Sequence, residues 1–198
     1  MITSRTPVAL AGLPTEPSSL AEDLRPLAAE IITRHGLEEW HAAILTHEVH
    51  GHLGVFSLLG VKMGVRAREI LNASLHELTV VSHAGSQPPL SCMNDGLQVA
   101  TGATLGRGTI RVAEGEARPE AAFAKGAARV RMRVRGAIVE GIHMAQRQAL
   151  ERFGPRTPAG EAEARRLAVQ FWLELDRRES FEELPAESDA QASGKADP

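Results

Sequence analysis

His47-Glu-Val-His-Gly-His-Leu-Gly-Val-Phe-Ser-Leu-Leu-Gly-Val-Lys-Met-Gly64 places three of the chain's eight histidines directly before a long apolar run. The apolar run predicts a buried helix, and its glycines allow neighbouring helices to approach closely. On a regular helix His47 and His50 share a face, whereas His50 and His52 point away from each other. The three imidazoles can converge only where the helix is interrupted, and Gly51 allows an interruption. A helix N-terminus near His50 would provide it.

Short strands and helices are predicted on both sides of this segment. Strands are expected at residues 77–83, 109–112, 121–124 and 130–134, and helices at 18–35, from 37 onward, at 91–102, 137–153 and 161–175. Because helices and strands do not alternate regularly, the pattern favours the α+β class, with a mixed or antiparallel sheet of about four short strands packed with helices. We expect a flexible arm at 1–17, one domain at 18–182 and a disordered tail at 183–198.

Composition limits the possible partners and compartments. The 198 residues carry a net charge of −3, which gives no electrostatic reason to expect nucleic acid or an anionic membrane as partner. No apolar stretch approaches the roughly 20 residues of a membrane helix, and the N-terminus lacks the pattern of a secretory signal. A single cysteine rules out an intrachain disulfide framework. The sequence therefore predicts a cytoplasmic protein.

The only cysteine, Cys92, joins the histidines as a candidate metal ligand, because imidazole and thiolate are ligands that zinc prefers. It lies at the predicted start of a helix, where the helix dipole should lower the pKa of its thiol. Asp95 follows one turn later and could bind metal, orient a histidine or act as a general base. The spacing of the histidines differs from the His-Glu-x-x-His pattern of zinc proteases, so that class is rejected.

A glycine-rich segment, Thr101-Gly-Ala-Thr-Leu-Gly-Arg-Gly108, could bring its backbone close to a ligand. Thr104 supplies a hydroxyl, and Arg107 could hold an anionic substrate through its guanidinium. The segment lacks the Gly-Lys-Ser/Thr ending of a P-loop. Simpler interpretations remain open at each position: a packing cysteine, capping histidines and an ordinary turn.

The segments His50-Gly-His-Leu53, Gly60-Val-Lys-Met-Gly64 and the run from Cys92 to Gly108 resemble, in order and spacing, the FmdE-like family of formylmethanofuran dehydrogenase proteins. In the family pattern, His-Gly-His-Leu-Cys-Pro-Gly opens a long helix. Segments of the form Cys-x-x-Asp-Ala-Ile-Gln and Thr-Gly-x-Thr-x-Gly-Lys-Gly follow it. The resemblance covers roughly residues 40–140.

The resemblance implies an FmdE-like α+β domain that binds a divalent metal, commonly zinc, and forms a homodimer. By position it implies the ligands His50, His52 and Cys92, and a pocket lined by Asp95, Gln98, Thr101 and Thr104. This chain has Gly54 and Ala103 where the family carries cysteines, so an iron–sulfur cluster cannot be built from one chain. His47 is the candidate replacement for a lost ligand.

The sequence is compatible with three functions. The chain could be a metal-dependent enzyme for a small, one-carbon or formyl-related substrate, with Asp95, Thr104 and Arg107 in catalytic roles. It could be a non-catalytic accessory subunit of a molybdopterin or formylmethanofuran-type oxidoreductase, or a structural dimeric module. Trp40, Phe171 and Trp172 predict an apolar surface buried against a second copy, and the alternative is that the C-terminal helix packs on its own domain.

Overall fold

The computed structural model describes residue 13 and residues 15–185. Helices within this part span Ala28–His35 (α1), Leu37–His50 (α2), Val55–Ile70 (α3), Met93–Thr101 (α4), Gly136–Phe153 (α5) and Pro158–Glu174 (α6). Strands span Thr79–Ser82 (β1), Ile110–Val112 (β2), Glu120–Lys125 (β3), Ala128–Val134 (β4) and Phe181–Leu184 (β5). The predicted arm and tail fall largely outside the described residues and stay predictions.

The five strands form one mixed sheet in the order β2-β1-β3-β4-β5, in which β1 and β2 are parallel and the other neighbours antiparallel. The predicted α+β class with about four strands is thereby confirmed. Strand β5 was not predicted, because Phe181-Glu-Glu-Leu184 contains two acidic residues that do not suggest a strand. Pairing with the arginine-bearing β4 accommodates them, and Arg133 forms an ion pair with Glu182 at 2.7 Å. Glu183 and Leu184 therefore belong to the sheet rather than to the tail.

Glycines determine where the first two helices end. α1 stops at Gly36 and α2 at Gly51, and both glycines have positive φ values, of 85° and 82°.

The helix predicted from residue 18 begins only at Ala28. Pro26 explains the late start, since proline fits the first turn of a helix but not its interior.

Helix α3 is the buried centre of the fold. Every residue from Val55 to Val65 is buried, and the helix crosses α4 at very short range. A Cβ atom placed on Gly60 would lie 2.2 Å from the Met93 carbonyl oxygen, and one placed on Gly96 would lie 2.0 Å from the Ser57 carbonyl oxygen. Only glycine allows this contact between the two helix backbones, which confirms the close packing expected from the sequence.

The surface predicted from the tryptophans is not exposed, so that prediction was wrong. Trp40 and Trp172 are fully buried and stack on each other, with ring centroids 5.2 Å apart and planes inclined by 19°. Phe171 is half-buried against the same core. Helix α6 therefore packs on its own domain, because stacking removes both indole rings from water without a second chain.

No helix among residues 13 and 15–185 combines the length and the apolar character that crossing a membrane requires.

Candidate functional site

The histidine cluster lies where α2 ends. His47 and His50 occupy the last turn of the helix, and the left-handed Gly51 then reverses the chain so that His52 returns beside His50. The two imidazole rings have centroids 4.3 Å apart and planes inclined by 35°. The predicted interruption at Gly51 is present. It follows a helix C-terminus, however, and not the N-terminus expected from the sequence.

Asp95 orients His50 through a hydrogen bond of 2.7 Å between its Oδ2 and the Nδ1 atom of His50. An ionised carboxylate can only accept, so Nδ1 carries the proton and Nε2 of a neutral imidazole presents its lone pair. Nε2 is buried and has no hydrogen-bond partner among the described residues. Asp95 thus takes one of the roles that the sequence left open for it, that of a histidine-orienting carboxylate.

The Nε2 atoms of His50 and His52 both face Gly54. A Cβ atom built on Gly54 would lie 3.4 Å from the first nitrogen and 3.5 Å from the second. It would also lie 3.0 Å from the Ser57 hydroxyl, which hydrogen-bonds to the Gly54 carbonyl. Gly54 has extended backbone with φ −121°, so the position suits any residue. The Nε2 atoms of His50 and His52 therefore border the same small space beside Gly54.

His47 has different surroundings, because it is buried against the edge of Trp172 at a centroid distance of 5.8 Å. Neither ring nitrogen has a hydrogen-bond partner in the part of the chain that the structure describes. Burial lowers the pKa of His47 to about 4, and the proximity of His50 adds to the shift. His47 is therefore a neutral residue that packs beside the site at physiological pH.

Cys92 immediately precedes α4, as predicted, and is half-buried. The expected effect on its thiol is wrong, because the pKa of Cys92 is raised, first by burial and then by the carboxylate of Asp95. Both effects oppose the thiolate, and together they outweigh the lowering effect of a hydrogen bond from the Cys92 backbone. Cys92 is thus a protonated thiol near neutral pH.

A cleft of about 400 Å³ is lined by His50, Cys92 and Asp95 among other residues. Its polar lining consists of His50, Ser86, Ser91, Cys92, Asn94, Asp95 and Gln98. Its apolar lining consists of Pro88, Leu105, Ile110 and Val112. Helix α4, the end of α2, the loop before α4 and the edge strand β2 therefore supply one concave site of the size that binds small molecules.

The other predicted site residues are placed elsewhere. The Thr104 hydroxyl accepts from the Arg107 amide, and the Arg107 guanidinium donates to His76 at 2.7 Å and to the Gly102 carbonyl at 3.2 Å. Thr101 is fully buried and donates to the Leu97 carbonyl. None of these three side chains lines the cleft. They close the turn after α4, which explains why the segment is rich in glycine.

The structure thus brings His50, Cys92, Asp95 and Gln98 to one cleft and sets His52 beside His50. Over residues 13 and 15–185, no group of three or more His, Cys, Asp or Glu side chains is already arranged to hold a metal ion. Ser86 and Asn94 were not predicted for the site, because Ser86 lies in a loop outside the motifs and Asn94 occupies a variable position of the Cys-x-x-Asp segment.

A comparison with curated proteins finds no significant match. A family model described as FmdE, molybdenum formylmethanofuran dehydrogenase operon, matches residues 49–182, about two thirds of the chain. The matched region contains the His50–Asp95 pair, the cleft, and the sheet as far as Glu182 in β5. On this evidence the chain belongs to the FmdE family.

Proposed function

We propose that this FmdE-family protein is a metal-dependent enzyme that binds a divalent ion such as zinc and acts on a small, one-carbon or formyl-related substrate. One observation carries the proposal. The carboxylate of Asp95 fixes the tautomer of His50 and leaves Nε2 buried without a partner, facing the same volume as Nε2 of His52. Metal-binding histidines commonly show this arrangement, since a carboxylate on the other ring nitrogen fixes the ring and increases its basicity.

The donor set fits a borderline divalent metal. Two imidazoles supply nitrogen ligands, and Cys92 in the adjoining cleft is the third candidate, with deprotonation accompanying binding. Any remaining coordination position would be open to substrate, and a bound ion would act there as a Lewis acid toward a substrate oxygen. The chain's own contribution is to orient His50 through Asp95 and to offer the Gln98 amide group. Gln98 Oε1 accepts from the Leu105 amide at 3.3 Å, so its NH₂ remains available to donate to a substrate.

Metal content provides the direct test. We expect wild-type protein to retain zinc after dialysis, and His50→Ala, His52→Ala and Cys92→Ser each to weaken zinc binding by roughly tenfold or more, because each removes one donor. His143→Ala, which removes an exposed histidine of α5, is the matched control and should bind zinc as the wild type does. Zinc stoichiometry that stays the same in both His50→Ala and His52→Ala would refute the proposed site.

The gain-of-function variant in the same experiment is Gly54→Cys. Its Cβ would lie 3.4 and 3.5 Å from the two Nε2 atoms, so the thiol enters the volume between them after a small shift of the Ser57 hydroxyl. We expect tighter zinc binding than in the wild type and no gain in Gly54→Ala, which adds the Cβ without the sulfur. Equal affinities in the two variants would show that the metal does not bind beside Gly54.

An accessory role is the second candidate, because the family description refers to a molybdenum formylmethanofuran dehydrogenase operon. An accessory subunit would co-elute with subunits of such an oxidoreductase. It would also show no turnover of formyl substrates when zinc-loaded and alone. An enzyme would turn over substrate by itself and lose activity in His50→Ala.

We also propose that the protein forms a homodimer through α5. This helix of 18 residues buries one side chain, Ile142, and leaves Met144 and Leu150 exposed by 58% and 52%. A helix of this length with so little burial gains little stability from its own domain. A second copy of the chain would cover the helix symmetrically.

Light scattering tests the dimer. The double variant Met144→Glu/Leu150→Glu should weaken association by roughly 100-fold, because it places four carboxylates in a two-fold interface. Leu37→Glu changes a comparably exposed leucine at the start of α2 and should leave the dimer intact. A wild-type protein that is monomeric at micromolar concentration would contradict the proposal.

A further inference from the structure

Strand β2 is an edge of the sheet, because β1 is its one neighbour among the described strands, in the order β2-β1-β3-β4-β5. The two strands are parallel. The Thr109 carbonyl accepts from the Val80 amide at 2.8 Å, and the Ala113 amide donates to the Ser82 carbonyl at 2.7 Å. On both sides of β2, at Thr109 and at Ala113, the chain therefore bonds toward β1.

The backbone groups of Ile110 and Val112 face away from β1. Successive residues of a strand direct their N–H and C=O groups to alternate sides. Arg111, midway between Thr109 and Ala113, thus bonds toward β1. Ile110 and Val112 each present one donor and one acceptor at the free edge. An edge with such groups is a template for a further strand.

The cleft lies directly beside this free edge, because Ile110 and Val112 are two of its lining residues. Ile110 is paired with the buried Val80, so its side chain and that of Val112, two residues on, point to the inner face of the sheet. Helix α4 supplies another wall through Asp95 and Gln98. The cleft thus occupies the place where a further strand, about 4.8 Å beyond β2, would lie over α4.

A bound ion and an added strand would use different groups of the protein. The proposed metal ligands are the side chains of His50, His52 and Cys92. An added strand would bond instead to the main chain of Ile110 and Val112. Because His50 and Cys92 line the same cleft as the edge, a chain bound along β2 would lie beside the ion.

We infer that the β2 edge binds the substrate as an added antiparallel strand, and that the substrate is a short, extended peptide or peptide-like chain of amides. Its main chain pairs with Ile110 and Val112, as in other cases of strand addition. Every second side chain points inward, against the apolar walls formed by Pro88 and Leu105. This inference rests on the proposed function, because it takes the cleft beside the metal ligands as the substrate site.

The probe is N-acetyl-Ala-Leu-Ala-amide, and binding is measured by NMR titration of the full-length protein supplied with zinc. When the leucine side chain fills the cleft, the leucine N–H and C=O face β2. N-methylation of the leucine amide removes this donor and should weaken binding by roughly tenfold. N-methylation of the following alanine, whose amide faces away, should change the affinity little. Equal weakening by the two methyl groups, or no binding of the unmodified probe at millimolar concentration, would overturn the inference.

Val112→Pro tests the edge itself, because proline lacks the N–H that faces the cleft, and an edge strand tolerates proline on its free side. Val112→Ala is the matched control, since it shortens the side chain and keeps the N–H. Val112→Pro should bind the unmodified probe roughly tenfold more weakly than Val112→Ala, and equal affinities would overturn the inference. Should Val112→Pro not fold, the methylated probes test the inference on the wild type alone.

A second copy of the chain is the alternative occupant of this edge. If β2 paired with β2 of another copy, Val112→Pro would convert dimers into monomers in light scattering, whereas Val112→Ala would not. That result would overturn the assignment of the edge to a substrate.

Zinc stoichiometry, measured on the same preparation, separates this inference from the metal proposal. Normal zinc content without binding of the probe would reject the added strand alone. Binding of the probe, with the expected effect of N-methylation, to a protein that retains no zinc would reject the metal alone.

Discussion

Glu39→Gln is expected to lower the free energy of unfolding by about 3–5 kcal/mol, because it leaves a buried lysine without its counter-charge. Glu39 and Lys62 are both fully buried, and Lys62 Nζ lies 2.6 Å from Glu39 Oε1. Arg177 bonds to the second oxygen of Glu39 at 3.1 Å and to the Glu69 carboxylate. Burial lowers the pKa of Lys62, and the negative charge of Glu39 opposes that shift. Removing the charge therefore destabilises the ammonium ion in the folded state.

Urea unfolding measures the effect, and a double-mutant cycle identifies its cause. Glu39→Gln/Lys62→Met removes the anion and the cation together, while Arg177 keeps its ion pair with Glu69. We expect the double variant to recover much of the lost stability, since no unpaired lysine remains. A double variant as unstable as Glu39→Gln, or a loss below about 1 kcal/mol in Glu39→Gln itself, would contradict this account.

Gly96→Ala should destabilise the protein by about 3 kcal/mol or more, at the upper end of the range for overpacked cores. The added Cβ would lie 2.0 Å from the Ser57 carbonyl oxygen and 2.5 Å from the Val61 nitrogen. Both contacts are with backbone atoms, so no side-chain rotation can relieve them. Helices α3 and α4 would have to separate along their length.

Thermal unfolding compares this variant with Gly141→Ala. Gly141 is also a helical glycine, in α5, but a Cβ atom there meets nothing within 4 Å. Its replacement should stabilise the helix by up to about 1 kcal/mol, as expected for alanine in place of glycine. Equal melting temperatures for Gly96→Ala and the wild type would show that the two helices do not touch as the structure has them.

Features set by neighbouring residues could be predicted from the sequence, and those set by distant contacts could not. The stop at Gly36 and the strands β2 to β4 follow from local patterns of glycine and β-branched residues. Stacking of Trp40 on Trp172 joins residues far apart in the chain, and no local pattern predicts it. The burial of Lys62 could likewise not be predicted, because its partner Glu39 lies in another helix.

In the candidate site, too, the residue types could be predicted from the sequence but the contacts between distant segments could not. Spacing and family resemblance selected His50, His52, Cys92 and Asp95, and these residues do lie near one another. Spacing could not tell which way the Arg107 side chain turns, because His76, from a different segment, decides it. Nor could spacing give the direction in which the pKa of Cys92 is shifted, because burial and the Asp95 carboxylate decide it.

The contact between Gly60 and Gly96 affects which substitutions the site can accept during evolution. Asp95 and Gln98 lie on α4, and the segment with His52 and Gly54 leads directly into α3. Backbone atoms, not side chains, set the spacing of α3 and α4. Side chains around the cleft can therefore be exchanged without altering the frame that holds them. A chain with Gly54 and Ala103 in place of cysteines can keep the architecture of its family while its chemistry diverges. The crossing of α3 and α4 stays the same while the side chains that it positions can differ from one family member to another.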